Sequence, residues 1–134
     1  MMVRQTSGPL LSGKTEAEWR KSFKSALEKR HRYRDIDFSA TVMADELGIS
    51  PYVLSRLLRK VMGASYADLV NGLRIADARK MLADARYDEY TVDEIGLLVG
   101  FRNRQSFFAS FRKLADATPQ CFRNESRGMQ KMEK

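Results

Sequence analysis

The stretch MADELGISPYVLSRLLRK, residues 43–60, returns as IGLLVGFRNRQSFFASFRK, residues 95–113, with one residue inserted. At a spacing of 52, Met43 pairs with Ile95, Ala44 with Gly96, Leu47 with Val99, Gly48 with Gly100 and Ile49 with Phe101. Beyond the inserted Arg102 the spacing is 53, and Ser50 pairs with Asn103, Leu54 with Phe107 and Leu58 with Phe111. Worked outward, the correspondence runs from Ser39 and Thr91 to Leu69 and Phe122, with Ser65 matching Thr118. Few pairs are identical, yet their chemical roles agree, so one small unit occurs twice.

Each role has a local cause. Ser39 and Thr91 precede apolar residues at helical spacing, where a hydroxyl accepts a hydrogen bond from an unpaired first-turn amide. Thr91 has Glu94 three residues on, a capping box that Ser39, followed by Val42, lacks. Gly48 and Gly100 follow the last apolar residue of a short helix, where a positive φ turns the chain. Ser50 and Asn103 cap the next helix, and Pro51 suits its first position. Ala44 and Gly96 are small enough to let two helices cross closely. The pattern is helix, tight turn, helix, twice; it is that of helix-turn-helix DNA binders, and tandem helical hairpins also build solenoids and adaptor modules.

Charge separates these options. From Leu47 to Ala67 no Asp or Glu occurs, against Arg56, Arg59 and Lys60; from Ile95 to Ala115 there is again none, against Arg102, Arg104, Arg112 and Lys113. Both windows centre on the second helix of a unit. A face that excludes acid twice suits a polyanion, because Lys and Arg supply the sequence-independent part of DNA affinity by neutralising phosphates. The whole chain agrees, with 24 Lys and Arg against 17 Asp and Glu and a net charge of +7.

The remaining composition narrows the class. A chain of 134 residues with 43% hydrophobic residues has material for one or two small cores. No run reaches the roughly 18 apolar residues of a membrane span, so no membrane contact is expected of this segment. Cys121 is the only cysteine, which excludes an internal disulfide and points to a reducing compartment, the cytoplasm. His31, the only histidine, sits among Lys29, Arg30, Arg32 and Arg34 and reads as a solvated surface residue. With no metal-ligand cluster, phosphate-binding glycine loop or activated nucleophile, we expect no catalytic residues, metal or cofactor.

Along the chain we expect seven helices and no strand. Residues 1–13 read as a flexible leader, 14–64 as a leading helix and first helix-turn-helix subdomain, 65–83 as a connecting helix, 84–127 as the second subdomain and 128–134 as a tail. Thr15 and Glu18 make a capping box, and Trp19, Phe23, Ala26, Leu27 and Tyr33 follow at helical spacing, so the leading helix should end near Tyr33 and pack Trp19 and Phe23 on the first subdomain. In the connector, Tyr66, Leu69, Val70, Leu73, Ala76, Met81 and Leu82 are expected on one apolar face. At about 1.5 Å per residue the connector spans roughly 28 Å, close to the ~34 Å turn of DNA, which would let two recognition helices reach successive major grooves. Residues 84–90 read as a polar loop.

Four segments in order carry a family resemblance: LGISPYVLSRLLRK from Leu47, LRIADARKML from Leu73, VGFRNRQSFFASFRK from Val99 and ATPQCFR from Ala117. Together they resemble the DNA-binding domain of AraC/XylS-type transcription regulators, from about Phe38 to Arg123. The resemblance implies an all-α fold of two helix-turn-helix subdomains joined by a long helix. It also implies sequence-specific duplex-DNA binding that commonly activates transcription through contact with RNA polymerase. A sensor domain or homodimer partner would lie outside this chain. The principal alternative is a helical protein-protein interaction module without base readout, with RNA binding third.

Carried over position by position, the resemblance implies base contacts from Tyr52, Ser55 and Arg56 in the first unit and from Arg104, Gln105 and Phe108 in the second. Arg56 offers a planar fork to guanine O6 and N7, or else clamps phosphate; Gln105 matches adenine N6 and N7; Arg104 reads guanine or clamps phosphate. Phe108 either meets thymine methyls or packs in the second core. Ala109 stands where relatives often keep an arginine, and Asp116 where they often end the helix with glycine. Arg59, Lys60, Arg112 and Lys113, one turn beyond the base-reading positions, suit phosphate contacts or the C-terminal dipole of their own helix, and the helix starts capped by Ser39, Ser50, Thr91 and Asn103 can offer amides to phosphates as well.

Overall fold

The computed structural model describes residues 13–132; residues 1–12 of the expected leader and the last two residues of the expected tail lie outside them. The described residues form seven α-helices and no strand: α1 (Glu16–Glu28), α2 (Ala40–Leu47), α3 (Pro51–Met62), α4 (Tyr66–Ala83), α5 (Val92–Leu98), α6 (Arg104–Ala115) and α7 (Pro119–Met132). The all-α fold with two helix-turn-helix units and a long connecting helix is the one the sequence implies. Two compact units divide the chain, one of residues 13–32 and 37–70, the other of 33–36 and 71–132. Helix α7 continues through Gly128, where the sequence alone suggests the start of a tail.

In the first unit, the Thr15 amide donates to Glu18 Oε1 at 2.8 Å and the Glu18 amide to Thr15 Oγ1 at 3.1 Å, closing the capping box that starts α1. Trp19, Phe23 and Leu27 follow at helical spacing and are all buried, with the first two rings stacked 5.3 Å apart. They pack α1 on α3, whose Leu54, Leu57, Leu58 and Val61 face the same core. Ser39 and Ser50 accept the Val42 and Val53 amides, and Gly48 and Gly63 end their helices in the left-handed conformation, both at φ 74°.

The leading helix stops earlier than its apolar spacing suggests. It ends at Glu28, and a 3-10 stretch, Lys29–Arg34, contains Arg30 and His31 at φ 55°. Two consecutive non-glycine residues in that conformation cannot continue a right-handed helix. Tyr33 therefore leaves the α1 face and joins the second unit. There its hydroxyl donates to Asp77 Oδ2 at 2.5 Å, and Arg34 Nε donates to the same oxygen at 2.7 Å. Asp77 is the one buried charged residue of the described chain, and these donors offset its desolvation.

Helix α4 starts where Ser65 accepts the Asp68 amide, and Thr118 does the same for Cys121 at the start of α7. The single apolar face expected of α4 is not present: Ala76 is exposed, while Ile75 and Ala78 are buried with Met81 and Leu82. The reason is the unit boundary after Val70. The start of the helix serves one core and the remainder another, so one stripe does not describe both.

The second core gathers Ile95, Val99, Phe101, Phe107 and Phe111 with the inner residues of α4. A Cβ on Gly96 would lie 2.5 Å from Phe107 Cδ2, which accounts for glycine where α5 and α6 cross. Gly100, at φ 113°, is pressed as closely; a Cβ there would come within 2.7 Å of both Arg74 Nε and the Tyr33 carbonyl oxygen. Asp116 takes the left-handed turn at φ 55°, and its amide donates to the Arg112 carbonyl at 3.0 Å. The polar segment 84–90 contains a 3-10 turn, Ala85–Tyr87, held by Asp84 and Arg86.

Candidate nucleic-acid interface

Burial of Leu54, Leu57, Leu58 and Val61 fixes the rotation of α3 and turns Tyr52, Ser55, Arg56, Arg59 and Lys60 outward. Tyr52 is 69% exposed although aromatic, a cost that core packing does not explain. Arg56 lies over its ring at 5.6 Å and donates to its hydroxyl at 3.3 Å. The two side chains thus stand together on the outer face, four residues apart on one helix. Lys60 faces Glu16 of α1 at 3.8 Å, a loose exposed ion pair.

Helix α6 is set in the same way by Phe107 and Phe111, both buried, leaving Arg104, Gln105, Ala109, Arg112 and Lys113 exposed. Phe108 is half-buried against the second core and meets Phe107 edge-on at 5.9 Å. Arg104 is not a lone cation. Its Nη1 donates to both Asp93 carboxylate oxygens at 2.7 Å, and its guanidinium lies 4.2 Å from the Phe108 ring centre. The acid-free window misses this pair because Asp93 lies two positions outside it and is brought back by the turn between α5 and α6.

The four expected helix starts all act as caps. Ser39, Ser50 and Thr91 accept with their hydroxyls at 3.0–3.2 Å, and Asn103 Oδ1 accepts from the Ser106 amide at 2.9 Å. Each hydroxyl hydrogen and the Asn103 amide group keep donor capacity. Arg102, counted with the basic window, donates to the Ile36 carbonyl at 3.2 Å, and Arg123 to that of Tyr87 at 3.0 Å. No sequence signal identifies those two as structural, since a backbone acceptor carries no residue type. Among the described residues no His, Cys, Asp or Glu cluster is placed to hold a metal ion. No described helix is long and apolar enough to cross a membrane.

A family model described as Helix-turn-helix domain matches residues 43–125, and the chain belongs to this AraC-type helix-turn-helix family. The chain is 25% identical over 119 residues to the uncharacterized HTH-type transcriptional regulator YtdP of Bacillus subtilis, covering 89% of this chain and 15% of that protein. It is 28% identical over 105 residues to the regulatory protein PocR of Salmonella typhimurium, covering 75% of this chain and 34% of that one. The chain thus spans about a third or less of the length of these relatives. The DNA-binding domain of AdpA, a global transcriptional factor solved in complex with a target DNA, shares the fold, with a TM-score of 0.69 at 22% identity over 92% of this chain and 96% of that one.

Proposed function

We propose that this chain is the sequence-specific, duplex-DNA-binding part of a cytoplasmic transcription regulator, and that α3 and α6 are its recognition helices. The observation that carries the reading is the matched pair of outward faces. Equivalent helices of a duplicated unit present Arg56, Arg59 and Lys60 in one case and Arg104, Arg112 and Lys113 in the other, each above an apolar inner face. Tyr52, Ser55, Arg56, Arg104, Gln105 and Phe108 are the proposed base-contacting set. Arg59, Lys60, Arg112 and Lys113, with the capped helix starts at Ser39, Ser50, Thr91 and Asn103, hold the backbone.

The regulatory role is proposed as activation through contact with RNA polymerase, joined to a sensor domain or a second copy elsewhere.

Selection of the whole chain on a random duplex library at near-physiological salt tests the reading. Two enriched boxes about one helical turn apart are expected if both units enter successive major grooves. One box would reduce the second unit to a backbone anchor. Binding without enrichment, abolished by salt, would leave only phosphate affinity, and no binding at low salt would favour the interaction module.

A further inference from the structure

We propose that Asp93 is a positioning residue for base recognition: it holds the Arg104 guanidinium against Phe108 so that Arg104 reads a base rather than neutralising a phosphate. The inference rests on α6 being a recognition helix, as proposed above.

Arg104 opens α6, and its side chain is held from two sides by different elements. Asp93 of α5 takes Nη1 with both carboxylate oxygens at 2.7 Å, while Phe108, one turn along α6, supplies a ring face at 4.2 Å. Phe108 is itself fixed, because it packs on the second core and stands nearly perpendicular to Phe107, at 86°. A long, flexible side chain is thereby ordered before any ligand arrives, which removes an entropic cost of binding.

Charge and geometry then decide what Arg104 can do. A carboxylate in contact cancels most of the guanidinium's field, so the pair releases few counterions and repels an approaching phosphate oxygen. With Nη1 committed to Asp93, the Nε and Nη2 edge offers two parallel donors, the arrangement that matches guanine O6 and N7. In the first unit Arg56 is supported instead by a neutral group, the Tyr52 hydroxyl at 3.3 Å, and keeps its full charge. The order is also reversed: the aromatic precedes the arginine in α3 and follows it in α6. Ala109, which occupies the place of Arg56, is thus accompanied by a buttressed arginine more than a turn nearer the helix start.

The test is the same library selection on the full chain, run with wild type, Asp93→Asn, Arg104→Ala and the double variant, followed by salt titration on the selected duplex. Asn is nearly isosteric, and the Thr91–Glu94 capping box that starts α5 does not involve position 93. Wild type should discriminate at one position by roughly 5- to 150-fold, the range of a bidentate arginine–guanine pair. Asp93→Asn should flatten that position about as far as Arg104→Ala does. It should also tighten binding to unrelated duplexes and steepen the salt slope by about 0.9, as a released cation would. In the Arg104→Ala background, Asp93→Asn should leave the motif as it is.

If Asp93→Asn tightens every sequence alike and the motif survives, Asp93 only screens charge and the proposal is wrong. A motif change that persists without Arg104 would overturn it too, since Asp93 would then act through another group. A wild-type motif with no position sensitive to Arg104→Ala would remove this role and leave the DNA reading standing. Enrichment of nothing by the wild type would remove both.

Discussion

At the scale of single residues, the outward cations differ in what they already touch, and that difference should appear in binding. Arg56 stands on Tyr52 with its fork on the outer face of α3. Arg56→Ala should therefore relax base choice at one position and weaken the preferred site by about 1–3 kcal/mol. Arg59 and Lys60 are neighbours, but among the described residues only Lys60 stands within 4 Å of a carboxylate, Glu16 at 3.8 Å. Arg59→Ala should weaken all sequences alike and lower the salt slope by about 1; Lys60→Ala should lower it less, because Glu16 already draws on that charge. Titrating each variant on preferred and unrelated duplexes over a range of salt checks both claims. Base-selective loss from Arg59→Ala, or uniform loss from Arg56→Ala, would reverse their roles.

Elements were legible where the cause is local. Ser39, Ser50, Thr91 and Asn103 cap as their residue types require, and the paired positions Met43 and Ile95, Leu54 and Phe107, and Leu58 and Phe111 are buried in both copies. What was not legible has a tertiary cause. The break at Arg30 and His31 falls among residues with no turn chemistry of their own, and the inner face of α4 changes because two cores share one helix. In the candidate site, the rotation of α3 and α6 follows from apolar spacing, whereas the clamp of Asp93 on Arg104 depends on a turn that sequence distance hides. The end of α6 allows a direct check. Asp116 holds φ 55° where an L side chain is strained and the first unit uses Gly63. Asp116→Gly should stabilise the chain by about 0.5–1 kcal/mol, seen as a higher urea midpoint at unchanged slope. A loss of stability would mean that the aspartate side chain contributes more than its backbone strain costs.

Over the whole molecule, the second unit is discontinuous, since four residues from before the first helix-turn-helix complete it. The tie is chemical. Asp77 is buried, and its carboxylate is satisfied by Tyr33 and Arg34 from that short segment, while Arg74 donates to the Tyr33 carbonyl at 2.6 Å. A buried carboxylate that loses a donor is destabilising because nothing replaces the lost hydration, so Tyr33→Phe should cost about 2 kcal/mol at neutral pH. Its pH dependence identifies the cause. Burial first, and then the hydrogen bond to Asp77, push the Tyr33 hydroxyl from 10.0 in its ordinary state to about 12. The folded chain therefore retains a proton that the unfolded chain releases. This contribution is fully present below about pH 10 and is lost as pH rises through about 12. Urea unfolding of wild type and Tyr33→Phe from pH 7 to the alkaline limit should show the gap between them constant up to about pH 10 and narrowing above it. A gap that stays constant to the alkaline limit would mean that the fold does not hold the Tyr33 proton, and that its bond to Asp77 is not what stabilises the segment.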